Sequence, residues 1–160
     1  MGNPPVAHSL RLRLLAAGGL LLLAAAATVA APQASLYQRM GGAPVVKAVV
    51  SDTLDRVTAD PKLKRSFAEV DVERVKRLLA EQICALADGG CHYSGVSMSE
   101  AHGGHQISES EFYGLVEILR DSLRRHHVHL RERNELLALL APLKREVVNA
   151  PAPTPGGTDP

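Results

Sequence analysis

Tryptophan is missing from these 160 residues, and phenylalanine and tyrosine together supply only 3% of them. A buried core therefore has to be assembled from Leu, Val, Ile and Ala. Neither sign of charge dominates: the formal net charge is +1, which gives no pointer to a nucleic-acid partner. No internal repeat, no phosphate-binding glycine loop, no nucleophile–base–acid set and no carboxylate pair stands out. Sustained strand alternation bounded by hairpin turns is lacking as well, which argues against a sheet. Cysteine occurs twice, at Cys84 and Cys91, and none follows the N-terminal apolar run, so a lipoprotein anchor is excluded.

Hydrophobicity is concentrated at the start. Arg11 and Arg13 precede an uncharged apolar run from Leu14 to Ala31 that ends in small residues. This is the layout of a secretory signal over residues 1–30, with Thr28-Val29-Ala30 as the expected cleavage point. The run also approaches the roughly 18 to 20 residues of a membrane span. The alternative is thus an uncleaved anchor, the one way this chain meets a membrane. The expected location is exported, periplasmic or secreted. At the other end, residues 150–160 are rich in Pro and Gly and read as a disordered tail. One domain remains, over residues 35–149, large enough for a single core.

Inside it the apolar pattern is helical. Val45, Val46, Val49, Val50, Leu54 and Val57 share one helix face, and Pro61 lies just past its end. Val72, Val75, Leu79, Ile83 and Leu86 form a second stripe, with Asp71 as N-cap and Gly89-Gly90 as its stop. Phe112, Leu115, Val116, Leu119 and Leu123 form a third, opened by the capping-box spacing Ser108-x-x-Glu111. The fourth is Leu136, Leu137, Leu140, Leu143 and Val147, with Pro142 placed to kink it. The fold class is all-α with four main helices.

Between the second and third helices run about twenty residues with little apolar periodicity, longer than most helix connections and so a place to look for function. They contain "SMSEAHGGHQIS". Ser97-x-x-Glu100 predicts a short helix ending at His102, where Gly103-Gly104 breaks it. A lone histidine facing a helical core is usually structural. Neutral imidazole is nevertheless a common protein ligand for haem iron, and one such bond suffices inside an apolar pocket. Phe67, in "PKLKRSF", is either a plug at a helix corner or an aromatic wall of such a pocket.

The stretches "LYQRMGGAPVVKAVVSD", "RVTADPKLKRSF", "ALADGGCHYSG", "MSEAHGGHQIS" and "LLALLAPLKREVV" resemble, in order and spacing, those of group I truncated haemoglobins. Both diglycine signals of that family are present, Gly41-Gly42 and Gly89-Gly90. The resemblance covers Leu36 to Val148 and implies a two-over-two helical sandwich holding haem b (iron protoporphyrin IX). It places the proximal iron ligand on His102 and the haem-packing phenylalanine on Phe67. The family's Tyr-x-Gly falls on Tyr93-Ser94-Gly95. His105 departs from the family pattern and is read as exposed, with contact to haem, for instance to a propionate, as the lesser alternative; His92 is a second internal candidate.

The distal side departs further. Where the family often carries a tyrosine and a glutamine, this chain has Leu54 and Leu79, flanked by Val75 and Leu78. Donors at those positions slow the loss of bound oxygen, so their absence implies a pocket that favours carbon monoxide or nitric oxide and holds oxygen weakly. Gln82, one turn beyond Leu79, is the nearest polar substitute.

The implied function is reversible binding of a diatomic gas: oxygen transport, or nitric oxide detoxification. Any nitric oxide dioxygenase-like or peroxidase-like turnover would belong mainly to the cofactor and require an unidentified reductant. The other readings are a haem-based gas or redox sensor and a haem-free helical adaptor. For Cys84 and Cys91, export favours a disulfide; two buried thiols, or a metal site with His92, are the alternatives. His126, His127 and His129 stand among Arg124, Arg125, Arg131 and Arg133 and read as a solvated polar turn.

Overall fold

A computed structural model describes Gly2 and residues 33–151. The expected signal or anchor over residues 1–30 and most of the C-terminal tail lie outside the described residues. Among the described residues every regular element is helical, and no helix is long and apolar enough to cross a membrane.

The caps act where the sequence places them. After a short α1 (Leu36–Arg39), α2 (Gly42–Ala59) carries the first stripe, with Val46, Val49, Val50, Leu54 and Val57 all buried. A 3-10 turn, Lys64–Phe67, makes the corner. Helix α3 (Val72–Leu86) opens on Asp71, whose carboxylate accepts from Arg74 N at 3.0 Å and satisfies one of the free first-turn amides. Helix α4 (Met98–His102) is a single turn capped by the Ser97 hydroxyl. Helix α5 (Glu109–Arg125) begins with the complete Ser108–Glu111 capping box. Helix α6 (Leu130–Leu140) ends where Pro142 is accommodated in a 3-10 turn, Ala141–Leu143, before the short α7 (Lys144–Val147). Pro142 therefore breaks the fourth stripe into two helices, as a residue without an N–H must.

Helix α2 packs on both α3 and α5, and α5 on α6, giving the two-over-two arrangement. One core joins them, built around Leu36, Met40, Val46, Val49, Val50, Ile83, Leu119, Leu123 and Leu136, with no ring among these. Each fully buried Leu or Ile there contributes about 1.5–3 kcal/mol. Burial is uneven, however. Val75, Leu78 and Leu79 on α3, and Phe112, Leu115 and Val116 on α5, are only half-buried although they lie on inward faces.

Candidate functional site

Those half-buried side chains border a cavity of about 440 Å³. Helix α2 contributes Thr53, Leu54 and Val57; α3 contributes Val75, Leu78, Leu79 and Gln82; α5 contributes Phe112, Leu115, Val116 and Leu119. Phe67 and Val70 close the corner, and Tyr93, Met98, His102, His105 and Ile107 line the remaining side. An inward apolar surface of this size that closes on no protein element is the form of a ligand site.

His102 is half-buried on this wall. Its Nδ1 lies 2.8 Å from Met98 O, one helical turn back. A carbonyl can only accept, so the bond puts the proton on Nδ1 and leaves the Nε2 lone pair available to a metal. The same bond fixes the ring's rotation, as hydrogen-bond partners of metal-binding imidazoles do. Helix α4 thus supplies both the imidazole and its orienting acceptor from residues four apart.

The opposite wall offers no comparable donor. Leu54 is 1% exposed and closes the α2 side, while Val75, Leu78 and Leu79 face in from α3. Thr53, beside Leu54, is fully buried, and its hydroxyl donates back to Val49 O at 2.7 Å. Gln82 reaches the cavity, and its amide Nε2 donates to Met98 Sδ at 3.2 Å.

At the rim, Arg65 joins three segments. Its guanidinium donates to Glu111 Oε1, to His105 O and to Gln106 O, the last two at 3.2 Å. Ser66 Oγ also donates to Glu111, at 3.1 Å. Burial pushes the Glu111 carboxyl up, but bonds accepted from Ser108, Arg65 and Ser66 outweigh it and hold the group at about 2. His105 borders the cavity yet is exposed, and the Arg65 bond uses its carbonyl, not its imidazole.

Tyr93 borders the cavity and folds over Gly95, where a Cβ would collide with the phenol. Burial pushes its hydroxyl pKa up, with Glu81 adding to the effect. Cys84 and Cys91 are joined in a disulfide, their Cα atoms 5.7 Å apart. The bridge leaves no thiolate to form a metal site with His92, which is exposed. It ties the end of α3 to the loop that carries Tyr93. Between the cysteines Gly89 is packed so closely that a Cβ would stand 2.7 Å from the Tyr37 ring.

The basic turn after α5 is separate from the cavity. His127 and His129 are exposed, and His126 Nε2 lies 3.9 Å from Asp52. Arg124 and Arg125 bond to Asp121 and hold its carboxyl well below the usual range.

Every candidate residue on the two walls, namely Phe67, Leu54, Val75, Leu78, Leu79, Tyr93 and His102, thus borders one cavity. Sequence reasoning did not single out Thr53, Met98, Phe112, Leu115 and Val116 as wall, nor Arg65 as a clamp. Met98 was findable, since it stands one turn before His102 on the same face.

Comparison with known proteins agrees with this architecture. The family model of bacterial-like globins matches residues 35–149. A group 1 truncated haemoglobin of Mycolicibacterium paratuberculosis is 31% identical over 122 residues, covering 76% of this chain and 90% of the relative. A second, from Tetrahymena pyriformis, is 29% identical over 90 residues, covering 56% of this chain and 74% of the relative. The solved structure of truncated haemoglobin from Tetrahymena pyriformis in its Fe(III) form superposes with a TM-score of 0.69 at 25% identity, covering 72% of this chain and 99% of that one. From the matched span, the shared helices and the relatives together, the chain belongs to the bacterial-like globins, as a group 1 truncated globin.

Proposed function

We propose that this globin would hold haem b in the cavity, with His102 Nε2 as the residue that ligates the iron and with the Leu54–Leu79 side facing the diatomic gas. The observation that carries the reading is the half-buried His102 imidazole, with a bare Nε2, on a cavity lined mostly by aliphatic and aromatic side chains. The cavity fits the group: it is lined mostly by apolar side chains, with Ser66, His105 and Glu111 among its few polar ones. Haem, when bound, supplies an iron that takes a small gas as ligand. The chain's own residues do the rest. Met98 O accepts from Nδ1–H and so leaves Nε2 as the free ring nitrogen; Phe67, Leu115 and Val116 keep the wall apolar, and Tyr93 and Ile107 complete the lining.

The wall facing the gas favours nitric oxide and carbon monoxide over oxygen. Oxygen is retained by donors aimed at the partial charge it acquires, worth about 1.5–3 kcal/mol for a charge-assisted bond. Here the Thr53 hydroxyl is bonded to Val49 O and the Gln82 amide to Met98 Sδ. Stopped-flow displacement of oxygen from the reduced, haem-loaded protein tests this. The expected release is roughly ten- to a hundredfold faster than from a pocket with one such donor; slow release would contradict it. Any turnover of the bound gas would also call on a reductant outside the chain.

We read residues 1–30 as an export signal, and the Cys84–Cys91 bridge supports that reading because disulfides persist in oxidising compartments. Fractionation of cells, with N-terminal sequencing of the recovered protein, distinguishes a cleaved product from an anchored one.

A further inference from the structure

Helix α4 is one turn long, and the segment between it and α5 has no regular structure of its own. Gly104 turns through φ +80° and Gln106 stands at φ +50°, a left-handed position that strains a non-glycine residue. Within the segment, His102 O accepts one long bond, 3.3 Å, from His105 N. The firmer hold comes from 47 residues downstream. Asn149 Nδ2 donates to His102 O at 2.7 Å, and Asn149 Oδ1 accepts from Ile107 N at 2.8 Å. The backbone amides of Asn149 and Ala150 both donate to Ile107 O, at 3.0 and 3.1 Å. These bonds grip the glycine loop at its two ends, His102 and Ile107. A carboxamide is suited to this, since it offers a donor and an acceptor from one planar group; aspartate offers only acceptors and leucine neither.

We infer that Asn149 is a positioning residue for the iron ligand: by fixing the carbonyl of His102 it sets where the imidazole stands relative to the cavity. The inference rests on the proposed role of His102. Its reach extends to function because α4 is too short to set its own position. Helix α7, which delivers Asn149, is itself tied down by Lys144 Nζ donating to Glu109 and to Tyr113 on α5. The last residues of the folded domain therefore help to build the site near its middle.

The test uses the full chain, haem-loaded and reduced, with Asn149→Ala and Asn149→Asp. Asn149→Asp keeps an acceptor for Ile107 N and replaces the donor to His102 O by a carboxylate oxygen that cannot bond to it. Resonance Raman reads the iron–histidine stretch, haem transfer to excess apomyoglobin reads retention, and amide exchange at Ile107 reads the clip itself. Both variants are expected to shift or broaden the stretch and to lose haem about three- to tenfold faster, the scale of one net hydrogen bond. Exchange at Ile107 should quicken in Asn149→Ala and stay near the parent rate in Asn149→Asp. An unchanged stretch and haem-loss rate in both variants, with helicity intact, would reduce Asn149 to a fold latch and overturn the inference. If the parent shows no iron–histidine stretch, or keeps it in His102→Ala, the proposed axial ligand fails instead, and the positioning role fails with it.

Discussion

On the His102 side of the cavity, short pieces of chain are held by polar bonds from far away, Arg65 on the carbonyls of His105 and Gln106 and Asn149 on His102 and Ile107, beside the local bond of Met98 O to the imidazole. On the Leu54–Leu79 side, two long helices present aliphatic side chains, and the nearby polar groups are bonded elsewhere. Under the proposed function, one side has to keep a ring in a fixed place, which a five-residue helix cannot secure alone, and distant donors and acceptors hold it. The other side is a mainly aliphatic surface, which two long helices provide through packing. Polarity gathers on the side where short pieces of chain have to be held in place.

Putting donors on the apolar wall is the strongest way to break this contrast. Leu54→Tyr with Leu79→Gln is expected to slow oxygen release by roughly ten- to a hundredfold while changing carbon monoxide release by less than about threefold. Equal slowing of both gases in flash photolysis would mean that access, not hydrogen bonding, had been altered. The bridge that steadies the Tyr93 loop comes next. Replacing Cys84 and Cys91 by Ser is expected to cost about 2 kcal/mol, as removal of a short disulfide-closed loop does, read as a lower urea midpoint. A midpoint equal to the parent's would deny the bridge any part in stability.

A smaller effect concerns the rim. The Glu111 carboxyl lies below its ordinary 4.5, at about 2, so its contribution to stability is present above about pH 4.5 and lost as the pH falls toward 2. Glu111→Gln should therefore lower stability at neutral pH by about 1 kcal/mol and flatten the loss over that window. An acid limb as steep as the parent's would assign the loss to other carboxylates, Asp121 first among them. The least effect is expected of His105→Ala. Because the contacts use its carbonyl, stability should move by less than about 0.5 kcal/mol and the haem spectrum not at all. A changed spectrum would make that imidazole part of the site.

Much of this was legible in the residues, for reasons that differ by element. Stripes at helical spacing with side-chain caps at Asp71, Ser97 and Ser108 give three starts, because the cap chemistry is local. Pro142 announces its own break. Leu54, Val75 and Leu79 are placed on the cavity by resemblance, whereas Phe112, Leu115 and Val116 read simply as core: periodicity cannot tell a face that meets protein from one that meets a cavity. Arg65 and Asn149 left no signal. Each is a single polar residue whose partners stand some forty residues away, and no spacing encodes such a pairing.

The central claim is most directly tested by the ferric and ferrous absorption spectra of the chain loaded with haem, for the parent and for His102→Ala. The expected result is a Soret band at one haem per chain in the parent, five-coordinate when ferrous, and lost or strongly shifted in the variant. A parent that takes up no stoichiometric haem, or a variant whose spectra match the parent's, would contradict His102 as the axial ligand of a haem globin.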